Sequence, residues 1–177
     1  MPWKNGLGST TEIAIHPSDA KLDDFDWRVS MAQVASDGPF SSFAAIDRTL
    51  LVLEGNGIDL SIAGQAEMRI DRETIYCFPG DQPTSARLVD GAIVDLNVMS
   101  RRGTVAHDVK RIKFAGRHDF AVSAQTIFVV EQGQLEIVAP LPAVELGERD
   151  AIICPALAPN LVLSAAEETQ IIVIQFR

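Results

Sequence analysis

Histidine is scarce and scattered. The chain's three, His16, His107 and His118, stand in no H-x-H or H-x-x-x-H spacing and beside no cysteine. A first-row metal needs three or four soft or borderline ligands that converge, and the sequence offers no such set. Metal-dependent dioxygenase or isomerase chemistry is therefore disfavoured, and neither a metal nor any other cofactor is expected. Cysteine is rarer still. Cys77 and Cys154 lie in IYCFP and IICP, settings in which a thiol is expected to be a small buried hydrophobe, with a disulfide as the alternative. There is no G-x-S-x-G elbow and no Ser, His and Asp group at local spacing, so no catalytic residue is assigned. Gly6-Leu7-Gly8-Ser9-Thr10 lacks the G-x-x-x-x-G-K-[ST] of a phosphate loop and reads as a tight turn or a close backbone approach to a ligand. No apolar run reaches the roughly 18 residues that cross a bilayer. The opening MPWKNGLGSTTEI has no apolar signal-peptide core. A cytoplasmic chain without membrane association is expected. Lys and Arg total 15 against 24 Asp and Glu, a net charge of -9, which would repel phosphate backbones, so nucleic acid is not an expected partner.

What is present is a globular composition: 177 residues, 47% hydrophobic and 22% charged, enough to bury a core. Glycine and proline punctuate short runs of Val, Ile, Leu and Phe, and no stretch sustains a 3.6-residue apolar period. This predicts an all-β fold. Strands are predicted at 12–15, 27–33, 49–53, 58–63, 67–70, 74–78 and 92–99, then at 108–114, 125–131, 134–139, 151–154, 161–163 and 170–176. Turn chemistry at Asp37-Gly38-Pro39, Gly55-Asn56-Gly57, Pro79-Gly80-Asp81 and Asp90-Gly91 separates the first set.

The chain also resembles itself. Sliding it by 77 residues lays LLVLEGNGIDL, from Leu50, over IFVVEQGQLEI, from Ile127, sets Cys77 on Cys154, and sets VDLNVM, from Val94, over IIVIQF, from Ile171. Three strands aligned at one offset indicate an internal duplication. The expected architecture is a bicupin: two tandem small jelly-roll β-barrels, residues 1–103 and 104–177. A single large sandwich is the alternative.

The two copies differ in polarity. Strand alternation puts Asp95, Asn97 and Met99 on one face, while the 77-residue offset matches Asp95 and Asn97 with Ile172 and Ile174, Asp47 and Arg48 with Ala124 and Gln125, and Asp81 with Ala158. Buried polar groups without partners cost about 1–3 kcal/mol each, so the polar set is expected to line a cavity in the N-terminal barrel, the C-terminal one being filled. Arg28, Ser30, Arg48, Lys4 and Asn5 add donors. Cations gathered in an acidic protein suggest a small anionic ligand, a carboxylate above all, because the guanidinium fork fits it bidentately. The bland alternative is that Asp47, Asp81 and Asp95 neutralise the arginines in structural pairs, or that Asp95 and Asn97 face solvent.

These residues carry a resemblance. MPWKNG followed by Thr11-Glu12-Ile13, WRVSMAQV, DGPFSSF, IDRTLLVLEGNG, FPGD and DLNVMSRRG resemble the HutD/Ves family of metal-free bicupins, several of which are encoded beside bacterial histidine-utilisation genes. The match covers residues 1 to about 103, with Leu7 where the family has a further glycine. The resemblance implies a non-enzymatic regulator of histidine catabolism that binds a pathway carboxylate such as formylglutamate or urocanate. It also implies site status for Lys4, Asn5, Arg28, Ser30, Arg48, Asn97 and Arg101. Rival expectations are a metal-independent isomerase or hydrolase with Asp95 or Asp47 as general base, and a scaffold or dimerisation module. A homodimer is the default expectation.

Overall fold

A computed structural model describes residues 8–139, 142–156 and 160–177. Among the described residues every regular element is a β-strand. The chain divides into two compact units, Met1–Ala106 and His107–Arg177.

The N-terminal unit holds β1 (Gly8–His16), β2 (Trp27–Val34), β3 (Gly38–Pro39), β4 (Ile46–Glu54), β5 (Ile58–Ile62), β6 (Met68–Ile70), β7 (Ile75–Pro79), β8 (Thr84–Leu88) and β9 (Ile93–Arg101). They form two antiparallel sheets, ordered β1-β2-β9-β4-β7 and β3-β8-β5-β6. Asp95 and Asn97 aside, the runs TLLVL and IVDLNV are apolar or neutral on both sides of the strand because the first sheet is buried on both faces: Leu50 and Val52 on one side and Leu51, Leu96 and Val98 on the other have no accessible surface to speak of. Between the sheets, Leu50, Val52 and Phe78 pack with Ile58, Leu60 and Ile70, each worth about 1.5–3 kcal/mol when fully buried. This core fills one end of the sandwich. Cys77, expected inside, is exposed, because Tyr76 and Phe78 take the inward positions of β7 and alternation turns the residue between them outward.

The β4–β5 hairpin turns through Gly55 and Gly57, at φ of 93° and 97°. A Cβ on Gly57 would lie 2.5 Å from the Ile70 carbonyl oxygen. Gly57→Ala is therefore expected to lower stability by about 1–3 kcal/mol, read as a lower urea midpoint at unchanged slope.

The C-terminal unit holds β10 (His107–Phe120), β11 (Gln125–Gln132), β12 (Leu135–Ala139), β13 (Val144–Leu146), β14 (Ala151–Cys154) and β15 (Leu161–Phe176). Its sheet runs β13-β12-β15-β11-β14, with β10 also on β15. The two strands predicted at 161–163 and 170–176 are one 16-residue strand, since the exposed polar stretch Glu167-Glu168 continues extended instead of turning. The sequence pattern does not predict β3, β8 and β13; β8 turns the small Thr84 and Ala86 inward, with the half-buried Leu88 at its end, which leaves little apolar alternation to read.

The 77-residue offset survives in the ladders. Thr49 opposes Cys77 as Thr126 opposes Cys154, and Arg48 opposes Met99 as Gln125 opposes Phe176. The faces do not follow. Leu50 and Val52 enter the N-terminal core, but in the other unit Phe128 and Val130 do, 78 residues on. The β-bulges agree, falling between Val52 and Glu54 and between Val130 and Gln132. Moving one strand forward by a residue and its antiparallel neighbour back by one keeps every pair and turns the sheet over. The hairpin explains it: three residues separate β4 from β5, and only Gly133-Gln134 separate β11 from β12. The inward counterparts of Asp95 and Asn97 are thus Ile171 and Val173, not Ile172 and Ile174, and that of Arg48 is Thr126, not Gln125. On either comparison the positions of Asp95 and Asn97 are aliphatic in the C-terminal unit and that of Arg48 is uncharged, while Ala158 lies outside the described residues.

Candidate functional site

Beyond the apolar core of the N-terminal unit lies a cavity of about 310 Å³, at the small end of the range for ligand sites. Its floor is the inner face of the first sheet. Three rows of opposed residues cross β2, β9 and β4: Arg28, Met99 and Arg48; Ser30, Asn97 and Leu50; Ala32, Asp95 and Val52. Period-2 alternation puts the polar members of each row on one side. Ser36 to Ser41 and Phe43 supply wall residues, and Ala86 contributes from β8. Beyond Arg48, Phe25, Ile46 and Met99 form a second apolar cluster.

Arg48 is 3% exposed. Its guanidinium carbon sits 4.8 Å from the centre of the Phe40 ring, 5.3 Å from Phe78 and 5.9 Å from Phe43, a cation–π cage. Gly80 makes room for the stem, since a Cβ there would lie 3.1 Å from Arg48 Cγ and Cδ. One terminal nitrogen donates to Asn97 Oδ1, and the other donates to the Ser41 carbonyl at 3.3 Å. Nε is buried and has no acceptor among the described residues. Burial pulls the guanidinium pKa down to about 10, with Asp95 opposing that shift and Arg28 adding to it.

Asn97 links Arg48 to an acid. Its Nδ2 donates to Asp95 Oδ1 at 2.6 Å, and Asp95 is 1% exposed. Burial pushes the Asp95 carboxyl up to about 7, against the opposing pull of Arg48, Asn97 and the Ala32 backbone. Arg28 is also buried, donating to Glu12 Oε2 at 2.9 Å and Ser30 Oγ at 3.1 Å.

The structure brings Arg28, Ser30, Arg48 and Asn97 together on the cavity floor. Lys4 and Asn5 lie outside the described residues. Arg101 is a correction. Its guanidinium donates to the Phe25 carbonyl at 3.0 Å and the Asp23 carbonyl at 3.4 Å, so it ties the segment before β2 to the end of β9 beyond the Phe25, Ile46 and Met99 cluster. It does not line the cavity. Asp47 and Asp81 do not neutralise the cavity arginines, because both pair with Arg102 at 2.8 and 2.9 Å. Asp95 lines the cavity as its alternation with Asn97 predicts, whereas the partner Glu12 and the walls Asp37, Phe40, Ser41 and Phe43 are not legible as site residues in the sequence. The only signal for the walls was the DGPFSSF motif, whose contact with the sheet is made by folding.

The floor can therefore hold an anion beside two guanidinium groups, offer amide and hydroxyl contacts from Asn97 and Ser30, and hold a proton on Asp95 near neutrality. Among the described residues no three His, Cys, Asp or Glu side chains gather as a metal-ligand set, and no helix is long and apolar enough to cross a membrane.

Sheet order, strand content and a polar pocket between the sheets define a cupin-type, jelly-roll protein. A cupin 2 conserved barrel domain protein from Leptotrichia buccalis shares that fold, with a TM-score of 0.65 at 12% identity over 96% of this chain and 89% of its own. The chain belongs to the HutD family, whose family model matches residues 1–173. It is 40% identical over 99 residues to an uncharacterized 21.2 kDa protein of the hutC 3' region of Pseudomonas putida, covering 56% of this chain and 52% of that one. It is 37% identical over 101 residues to protein Ves of Cronobacter sakazakii, covering 56% and 54%. The chain thus spans about half the length of these relatives in the matched region. Among solved structures, HutD from Pseudomonas fluorescens, described in a formate condition, superposes with a TM-score of 0.78 at 30% identity, over 100% of this chain and 93% of that one. A conserved protein of unknown function from Pseudomonas aeruginosa reaches 0.89 at 31% identity, over 99% and 92%. The family is associated with histidine utilisation.

Proposed function

We propose that the N-terminal unit binds a small carboxylate and that the protein is a non-enzymatic regulator of histidine catabolism, sensing an intermediate such as formylglutamate or urocanate in the cytoplasm. The observation that carries this reading is Arg48: a nearly inaccessible guanidinium on the cavity floor with a donor, Nε, left without an acceptor. A buried unsatisfied donor costs about 1–3 kcal/mol, and a carboxylate oxygen supplies the acceptor. The structure of HutD from Pseudomonas fluorescens is described in a formate condition, and formate is the simplest member of this ligand class. The repeated ladders of the two units support a duplication in which the C-terminal copy has lost its polar interior.

Thermal unfolding tests it. A carboxylate present at 100 times its dissociation constant adds about 2.7 kcal/mol, so the melting temperature is expected to rise by several degrees with formylglutamate, urocanate or formate. No rise with any of them overturns the reading.

One observation favours a second reading. Burial raises the Asp95 carboxyl to about 7, the range that suits a general base, so the cavity also suits a metal-independent isomerase or hydrolase. Asp47 does not, being paired with Arg102. Turnover of urocanate or formylglutamate that is lost in Asp95→Asn would replace the sensor with an enzyme.

A further inference from the structure

The cavity carries its own anion. Asp95 reaches Arg48 through Asn97, and both ends of the chain Arg48–Asn97–Asp95 are buried. With Arg28 held by Glu12, the floor contains two guanidinium groups and two carboxylates, a formal charge of zero when all four are ionised. A carboxylate ligand placed against Arg48 would then add a net negative charge to a site with little water to screen it.

We propose that Asp95 is the resident counter-anion of Arg48, and that a carboxylate ligand takes over this role as Asp95 accepts one proton from solvent, so that ligand binding and proton uptake are one coupled event. No bond other than that O–H forms, and the proton comes from bulk water or buffer. The inference rests on the carboxylate-binding reading and adds a pH dependence to it.

The neighbouring groups single out Asp95. The charged group that acts on it from β4 is Arg48; on β2 its opposite residue is Ala32 and Arg28 stands two rows along, opposite Met99, paired with Glu12 of β1, whose side chain is 38% exposed. Asp37, in the wall before β3, is exposed and accepts the Leu88 N–H at 2.7 Å. The wall residues Gly38, Pro39 and Ala86 of β3 and β8 bring no titratable group. Asp59 of β5 is engaged by Arg69 and Arg87, and the Tyr76 hydroxyl of β7 donates to Gln65. Asp95 is thus the one deeply buried acid in the described lining, and its carboxyl already sits near 7, so that above this pH a further push toward the neutral form takes up as much as one proton. Glu12 and Asp37 are both exposed to water.

Isothermal titration of the full chain with formylglutamate and with formate, in buffers of different ionisation enthalpy, reads the proton count directly. Uptake close to one proton per ligand is expected at pH 8, falling toward zero at pH 6. The dissociation constant should be flat below about pH 7 and rise up to about tenfold per unit above it, the slope of a one-proton linkage. Asp95→Asn should bind with no proton uptake and no pH slope. Should that variant fail to fold, the wild-type buffer dependence decides alone. Binding without proton uptake at pH 8, or uptake that persists in folded Asp95→Asn, overturns this inference and leaves carboxylate binding standing. No binding of either probe to the wild type or the variant between pH 6 and 8 removes carboxylate binding and this inference with it.

Discussion

Arg48→Met should weaken carboxylate binding by about two orders of magnitude or more, because it deletes the cation and its spare donor from a site that water barely reaches. Removing one partner of a buried, hydrogen-bonded charge pair costs about 2–5 kcal/mol, and each factor of ten in affinity is 1.4 kcal/mol. Met suits the place sterically: an unbranched, polarisable chain packs against Phe40 and Phe78 where the guanidinium stacks now. The variant should therefore remain folded, and near-ultraviolet circular dichroism would show it. Arg48→Lys keeps the charge but loses the fork and the flat face, so intermediate weakening is expected. Arg101→Met is the control. It cuts the ties to the Phe25 and Asp23 carbonyls and should lower stability while leaving affinity unchanged. Equal affinity in wild type and Arg48→Met, measured by titration calorimetry, would show that the arginine is a structural element in an aromatic cage.

Asp95→Asn should make the folded state more stable above pH 7, relative to wild type, by on the order of a few kcal/mol, and the advantage should vanish near pH 4. The folded protein holds the Asp95 carboxyl up to about 7, against an ordinary value of 3.8, because burial penalises its charge. Between those values the native state binds more proton than the unfolded one, so stability falls as pH rises. The contribution is fully present below about pH 4, is lost through about pH 7 and is flat beyond. A tenfold change in proton affinity is worth about 1.36 kcal/mol, and the rise of the carboxyl from 3.8 to about 7 sets the scale. Asparagine carries no charge to desolvate, yet its side-chain oxygen can still accept from Asn97. Carboxyls such as Asp59, Asp71 and Asp81, whose hydrogen bonds hold them below the ordinary range, make the opposite trend in the total profile. They are common to both proteins and cancel in the difference. Urea unfolding at a series of pH values measures that difference, and a constant gap from pH 4 to 8 would mean that Asp95 titrates like an exposed acid.

Both expectations start from residues legible in the chain. Arg28 and Ser30 alternate on WRVSMA, Asp95 and Asn97 alternate on VDLNVM, and Arg48 stands inside an apolar run. Period-2 geometry alone makes such residues share a face. The same logic misplaced others. Arg101 shares the parity of Asp95 and Asn97, but the segment around Phe25 closes over that end of β9, and its carbonyls claim the guanidinium. Cys77 looked like core, yet parity on β7 was set by its neighbours Tyr76 and Phe78. Glu12, Phe40 and Ser41 act on arginines 16, 8 and 7 residues away in sequence, through loops and ladders that leave no local trace.

By itself the sequence determined most of the strands, the turns between them and a pattern repeated at one offset, because apolar runs, glycine and proline act through the backbone within a few residues. It also determined that one half has polar side chains where the other has aliphatic ones. The tertiary structure alone decided which side of each strand faces inward, since that depends on which sheet packs above it. A hairpin one residue shorter, Gly133-Gln134 against Gly55-Asn56-Gly57, turns the sheet of the second unit over while every strand pair keeps its partner. Inside and outside are properties of packing, and packing is what placed Arg48, Asn97 and Asp95 in one buried chain of hydrogen bonds.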